Sequence, residues 1–254
     1  MCIVCESKTP SDLSNLQTLD CDNCPLITAL PDLPNLQTLD CSGCPRITTL
    51  PDLSHLQILD CSRCLRLTTT LPDLLNLQRL YCSNCPLITT LPDLPNLQIL
   101  DCSRCLRLTT LPDLPNLQIL YCYMCPLLTT VPTLPYLQTL YCNNCLLLTT
   151  LPDDLPRLQN LDCSGCPMLT TLPKLPNLRT FYYDQCPWLN HPLNLEYQEN
   201  LNRLLLLQRW CRKNFKYFVF NRWIQSEEFA QFFYAPDQWG GFCSKKTLER
   251  MMMM

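Results

Sequence analysis

A short block of sequence recurs along most of this chain, and a block that short leaves few ways to bury apolar side chains. Cys21, Cys41, Cys61, Cys82, Cys102, Cys122, Cys142 and Cys163 each open a C-x-x-C pair, and Cys2 precedes them in the same role. The period is 20 residues, stretched to 21 by an extra Thr in Thr68-Thr69-Thr70 and an extra Asp in Asp153-Asp154. Tyr183 takes the same place in the last copy, ahead of Cys186. A unit of this size encloses no core alone, so its apolar residues must be covered by the copies on either side.

Spacing within the unit gives its backbone. In Leu30 to Thr49, LPDLPNLQTLDCSGCPRITT, the apolar positions step by threes with a single step of two, from Leu39 to Cys41. A step of two marks a strand, with Leu39 and Cys41 inward and Thr38, Asp40 and Ser42 outward. Segments such as Leu91-Pro92-Asp93-Leu94-Pro95 then return the chain along the opposite side, where proline is tolerated because no ladder donor is needed. A square β-helix also fits a unit of 20 residues, but its apolar residues would recur every five.

Leu36, Leu39, Cys41, Cys44 and Ile47 fit the frame L-x-x-L-x-L-x-x-(N/C)-x-x-L, and with it the units resemble leucine-rich repeats over residues 2 to 189. They are similar to the short type found in some secreted bacterial effectors, with Cys41 where those repeats have Val and Cys44 where they have Asn. The resemblance implies an α/β-type repeat solenoid: a horseshoe with short parallel strands on a concave sheet and extended or 3-10 segments on the convex side. About ten strands are expected over 1–189 and a helical cap over 190–254. The chain begins inside a repeat, so either the first rung is exposed or the chain is incomplete. Some effectors of this type carry a ubiquitin-ligase domain with a catalytic cysteine. The tail is too short for that domain and Cys211 has no nearby acid partner; Cys243 is the other tail cysteine that the comparison singles out.

Composition adds three expectations. The 23 Pro against 4 Gly predict turns made from fixed extended segments instead of left-handed glycine bends. Neither a secretory signal nor an apolar run of about 20 residues is read, so the chain is expected to be intracellular, in the cytoplasm, with reduced thiols. Charge is uneven: residues 1–189 hold 10 Lys/Arg against 16 Asp/Glu, and 190–254 hold 9 against 6.

Taken in isolation, Cys21-x-x-Cys24 followed by Cys41-x-x-Cys44 has zinc-ribbon spacing, and a metal-binding structural protein is the alternative reading. A tetrahedral zinc needs four sulfurs about 2.3 Å from one point, whereas stacked strands set equivalent cysteines about 4.8 Å apart in columns. The first cysteine then packs as a small hydrophobe and the second occupies the ladder position. No metal site and no cofactor is expected. Thioredoxin-like redox chemistry lacks the βαβ context it needs.

The outward columns carry the candidate site. One runs Asp20, Asp40, Asp60, Tyr81, Asp101, Tyr121, Tyr141, Asp162, Tyr182, beside Thr18, Thr38, Ile58, Arg79, Ile99, Ile119, Thr139, Asn160, Thr180. Ile99, Ile119, Tyr121, Tyr123, Met124 and Tyr141, bordered by Asp101 and Asn143, have the aromatic centre and polar rim of a protein- or peptide-binding surface. The aspartates are placed to attract a basic partner. No catalytic grouping is evident: His55 falls on a connecting segment as a solvated loop residue, and His191 follows the last repeat. No small-molecule substrate is implied. Asp60 and Asp101 open the same ten residues, DCSRCLRLTT, and surfaces made by copying suit recognition better than catalysis.

After Asn194 the proline rhythm stops, and Leu195, Leu201, Leu204, Leu205 and Leu207 lead towards Trp210 at helical spacing, as a cap over the last rung would. Arg209, Arg212, Lys213, Lys216 and Arg222 interleave with aromatic residues, a mixture that also binds lipid or nucleic acid, though neither is the expected partner. The stretch from Phe232 to Gly241 resembles tails on repeat proteins of large DNA viruses.

Overall fold

The computed structural model describes residues 3–6, 13, 15–67, 71–184 and 186, all within the unit Met1–Pro187. The helical tail expected over 190–254 lies outside the described residues. A four-residue helix, α1 (Ile3–Glu6), is followed by nine strands of three residues each: β1 (Thr18–Asp20), β2 (Thr38–Asp40), β3 (Ile58–Asp60), β4 (Arg79–Tyr81), β5 (Ile99–Asp101), β6 (Ile119–Tyr121), β7 (Thr139–Tyr141), β8 (Asn160–Asp162) and β9 (Thr180–Tyr182). They form one parallel sheet in sequence order, with no crossover. Register repeats from rung to rung: Leu39 pairs with Leu59, Leu80 with Leu100, and Leu100 with Leu120.

Nine strands, not about ten, are present among the described residues. The three strand residues precede the first cysteine of each unit from Cys21 onward. The first unit instead forms α1, whose Cys5 Sγ lies 3.4 Å from Cys24 Sγ.

Each coil turns through short reverse turns closed by an amide three residues on. In the third full coil Leu56 N–H donates to Leu53 O at 2.9 Å, Cys64 N–H to Cys61 O at 3.3 Å, and Leu67 N–H to Cys64 O at 3.2 Å. Proline recurs just after the first residue of such turns, as in Leu94-Pro95-Asn96-Leu97, where its fixed φ is already correct. The convex segments are therefore extended chain and isolated turns; no 3-10 helix occurs among the described residues, because each turn is followed at once by an inward leucine.

The expectation about left-handed bends is corrected. The third residue of every C-x-x-C unit from Asn23 to Gly165 has φ between 49° and 68°, and only Gly43 and Gly165 among them are glycines. Asn23, Arg63, Asn84, Arg104, Met124 and Asn144 take the same conformation. Their amides explain it. Each extends the ladder beyond the strand, as Arg104 N–H does to Tyr123 O and Met124 N–H to Asn143 O, both at 2.8 Å. Leaving such an amide unpaired would cost about 1–3 kcal/mol, which offsets a local penalty of about 1–2 kcal/mol.

The core is a set of columns. Leu53, Leu56, Leu59, Cys61, Cys64 and Leu67 are all 1% exposed or less, and the corresponding residues of the next coils match them. Full burial of a leucine stabilises by about 1.5–3 kcal/mol, so each coil draws its stability from contact with its neighbours.

Candidate functional site: the open face of the sheet

Strand alternation leaves the central residue of every strand buried and turns the flanking two outward. Ile99 on β5 and Ile119 on β6 pair across the sheet, as do Asp101 with Tyr121 and Tyr121 with Tyr141. All five are half-buried. The Tyr121 and Tyr141 rings meet with centroids 5.3 Å apart and planes tilted by 57°, a favourable tilted aromatic contact. Burial, then Tyr141 and the Asp101 carboxylate, push the Tyr121 hydroxyl up, so it stays a neutral donor and acceptor.

The remaining predicted residues lie just past the strands. Tyr123 and Asn143 are half-buried; Met124 is 42% exposed on its left-handed turn, with its amide held by the Asn143 carbonyl. Arg104 adds a contact that the sequence reading missed, its guanidinium 5.9 Å from the Tyr123 ring centroid. The only signal for it was the Arg in Asp101-Cys102-Ser103-Arg104, one rung before the tyrosine. His55 is exposed on its connecting segment, and His191 lies outside the described residues.

The aspartates are more constrained than bare outward carboxylates. Asp40, Asp60, Asp101 and Asp162 each accept the amide two residues on, Ser42, Ser62, Ser103 and Ser164, at 2.9–3.0 Å, and Asp20 accepts from Asp22 at 3.2 Å. One oxygen of each thus holds the turn. Tyrosine repeats lack that side-chain acceptor, which separates the column into turn-holding and aromatic rungs.

The cysteines show what the pairs are for. The second thiol of each pair donates to the carbonyl of the first cysteine one coil back: Cys44 to Cys21, Cys64 to Cys41, Cys85 to Cys61, Cys105 to Cys82, Cys125 to Cys102, Cys145 to Cys122, Cys166 to Cys142 and Cys186 to Cys163, at 2.9–3.2 Å. This is the ladder role expected of that position. The hydrogen bond with the outer thiol of the next coil, followed by burial, pushes the inner thiols Cys41, Cys61, Cys82, Cys102, Cys122, Cys142 and Cys163 well up. The same contact lowers Cys64, Cys105 and Cys145. Among the described residues no group of three or more His, Cys, Asp or Glu side chains is arranged to hold a metal ion.

With this geometry in place, comparison with known families agrees. The model described as leucine-rich repeats in two copies matches residues 14–55, and the single leucine-rich repeat model matches 76–95 and 136–158. The chain thus carries leucine-rich repeats, and its described residues fold as a parallel-stranded solenoid. Repeats of this class generally mediate protein–protein interaction. No curated protein matches the chain, and the likeness to bacterial effectors and to viral repeat tails has no counterpart in these matches.

Proposed function

We propose that this protein is a non-enzymatic recognition module that binds a protein or peptide across the open face of β5 to β7. The observation that carries it is the Tyr121–Tyr141 pair, two tyrosines on adjacent strands with their rings in contact and half-buried, in a column that otherwise holds five aspartates and the separate Tyr81 and Tyr182. Ile99 and Ile119 form the apolar floor beside it, Tyr123 and Met124 extend the centre past the strands, and Asp101 and Asn143 form the rim. Tyrosine on a rigid strand loses little entropy on binding and offers both an apolar face and a hydroxyl. The thiol ladder supports a reducing, intracellular setting, since a thiol must keep its proton to donate to a carbonyl.

The test begins with a partner recovered by affinity purification and then purified itself. Replacing both Tyr121 and Tyr141 with Ala should weaken its measured affinity by about thirtyfold while leaving the circular dichroism spectrum unchanged. Equal affinity for the two proteins would remove the proposed patch.

A further inference from the structure

A second groove flanks the sheet on the side where each strand begins, with a volume of about 390 Å³. Asn76, Gln78, Asn96, Gln98, Asn116 and Gln118 line it, two amides from each of three successive coils. Tyr136 closes one end, and no charged or aliphatic side chain takes part.

The amides are held in place. Asn76, Asn96 and Asn116 each donate Nδ2 to a carbonyl one coil back, Ser54, Leu75 and Pro95, at 2.8 Å, leaving their side-chain oxygens as fixed acceptors. The glutamine backbones are spaced by Gln98 N–H to Gln78 O and Gln118 N–H to Gln98 O, both 2.8 Å, while their side chains are exposed. Each coil therefore presents the same pair, one fixed acceptor and one amide that both donates and accepts.

Tyr136 breaks the column in an informative way. It stands where Asn76, Asn96 and Asn116 stand in the preceding units, so this coil, like those of His55 and Arg157, gives up the amide bridge those residues make, and of the three it alone puts an aromatic ring in the groove. The Arg157 guanidinium, in the same place one coil later, lies 4.6 Å from its ring centroid and props it. A coil that gives up a stabilising bridge for an aromatic wall at the mouth of a polar groove breaks the local rule where a ligand would use the exception.

From this we infer that the groove binds a neutral oligosaccharide, lying along the solenoid across three coils with one sugar ring against Tyr136. Sugar hydroxyls each donate and accept, as primary amides do, and the apolar face of a pyranose suits an aromatic ring. Polyanions are disfavoured by the excess of 16 acidic over 10 basic residues in 1–189 and by the absence of a cation in the lining. A peptide would need apolar anchor pockets, which this lining lacks. The site is separate from the tyrosine face and does not depend on it.

The full-length chain would be titrated with maltotetraose, cellotetraose and N-acetylated chitotetraose, following side-chain amide signals by NMR and affinity by calorimetry. Saturable binding of at least one, with shifts confined to the groove amides, is the expected result. Gln98→Leu and Tyr136→Asn should each lower that affinity about tenfold, the second while adding back an amide of the ladder type, and Tyr121→Ala with Tyr141→Ala should leave it unchanged. The inference is overturned by flat titrations with all three sugars, by binding that Gln98→Leu does not affect, or by poly-uridylate or an unstructured Gly-Ser peptide occupying the groove where the sugars do not.

Discussion

Single residues in this solenoid act in columns, so a substitution is judged by its neighbour one coil away. A Cβ added at Gly43 would meet the Asn23 side-chain oxygen, and Gly43 already sits at φ 66°. Gly43→Ala should therefore destabilise by about 1–2 kcal/mol in urea unfolding; an unchanged midpoint would mean that Asn23 moves aside without loss. Ser103 is the opposite case. Its hydroxyl is fully buried and is, among the described residues, the buried side-chain polar atom without a hydrogen-bond partner. Ser103→Ala removes that unsatisfied group at almost constant shape, so stability should stay level or rise by up to about 1 kcal/mol.

At the scale of the element, the cysteine ladder makes stability depend on pH. The seven inner thiols have folded pKa values above the ordinary thiol value, so the unfolded chain releases their protons first. Their contribution is complete below about pH 8.5 and is lost as pH rises above it. Cys64, Cys105 and Cys145, lowered in the fold, add stability as pH rises towards that value and no slope beyond it. Urea unfolding in reductant between pH 7 and 10 should show a fall above about pH 8.5; a flat profile there would contradict the ladder. Chelator treatment should leave the spectrum and the urea midpoint unchanged, because the outer thiols are engaged by carbonyls. Loss of structure with a chelator would revive the zinc reading.

The ladder also shows what the sequence makes legible. Period, register, the inward leucines and both cysteine roles follow from spacing, because each depends on identical residues meeting identical neighbours. The left-handed turns do not, since Arg63, Arg104 and Met124 carry no local preference for positive φ and are held there by an amide bond to the next coil. The Asn and Gln columns were hidden for a different reason. Spacing marks them only as polar residues between leucines, and the assembled coils show them sharing a groove. Within the tyrosine patch, spacing placed the residues on one face, but the ring contact and the Arg104 stack required coordinates.

For the whole molecule, a stack whose coils touch only their neighbours should tolerate loss of one complete coil. Residues 91–110 form such a coil, from Leu91 to Thr110, and joining Thr90 to Leu111 preserves the sequence L-I-T-T-L-P-D-L across the junction. The deletion removes β5 and brings the Tyr81 rung against the Tyr121 rung, in the register that β4 and β5 now share. The shortened protein should fold, with a urea m-value lower in proportion to the buried surface removed and a midpoint reduced by one coil and one interface. A deletion of ten residues from the same region should not fold, because it would set turns against strands and outward positions against the core. The two proposed surfaces should respond differently to the full-coil deletion. The tyrosine column becomes continuous through Tyr81, Tyr121 and Tyr141 while Arg79 replaces Ile99, so partner binding should weaken, but by less than the loss from replacing both Tyr121 and Tyr141 with Ala. The amide groove loses Asn96 and Gln98, one of its three rungs, and oligosaccharide affinity should fall about tenfold.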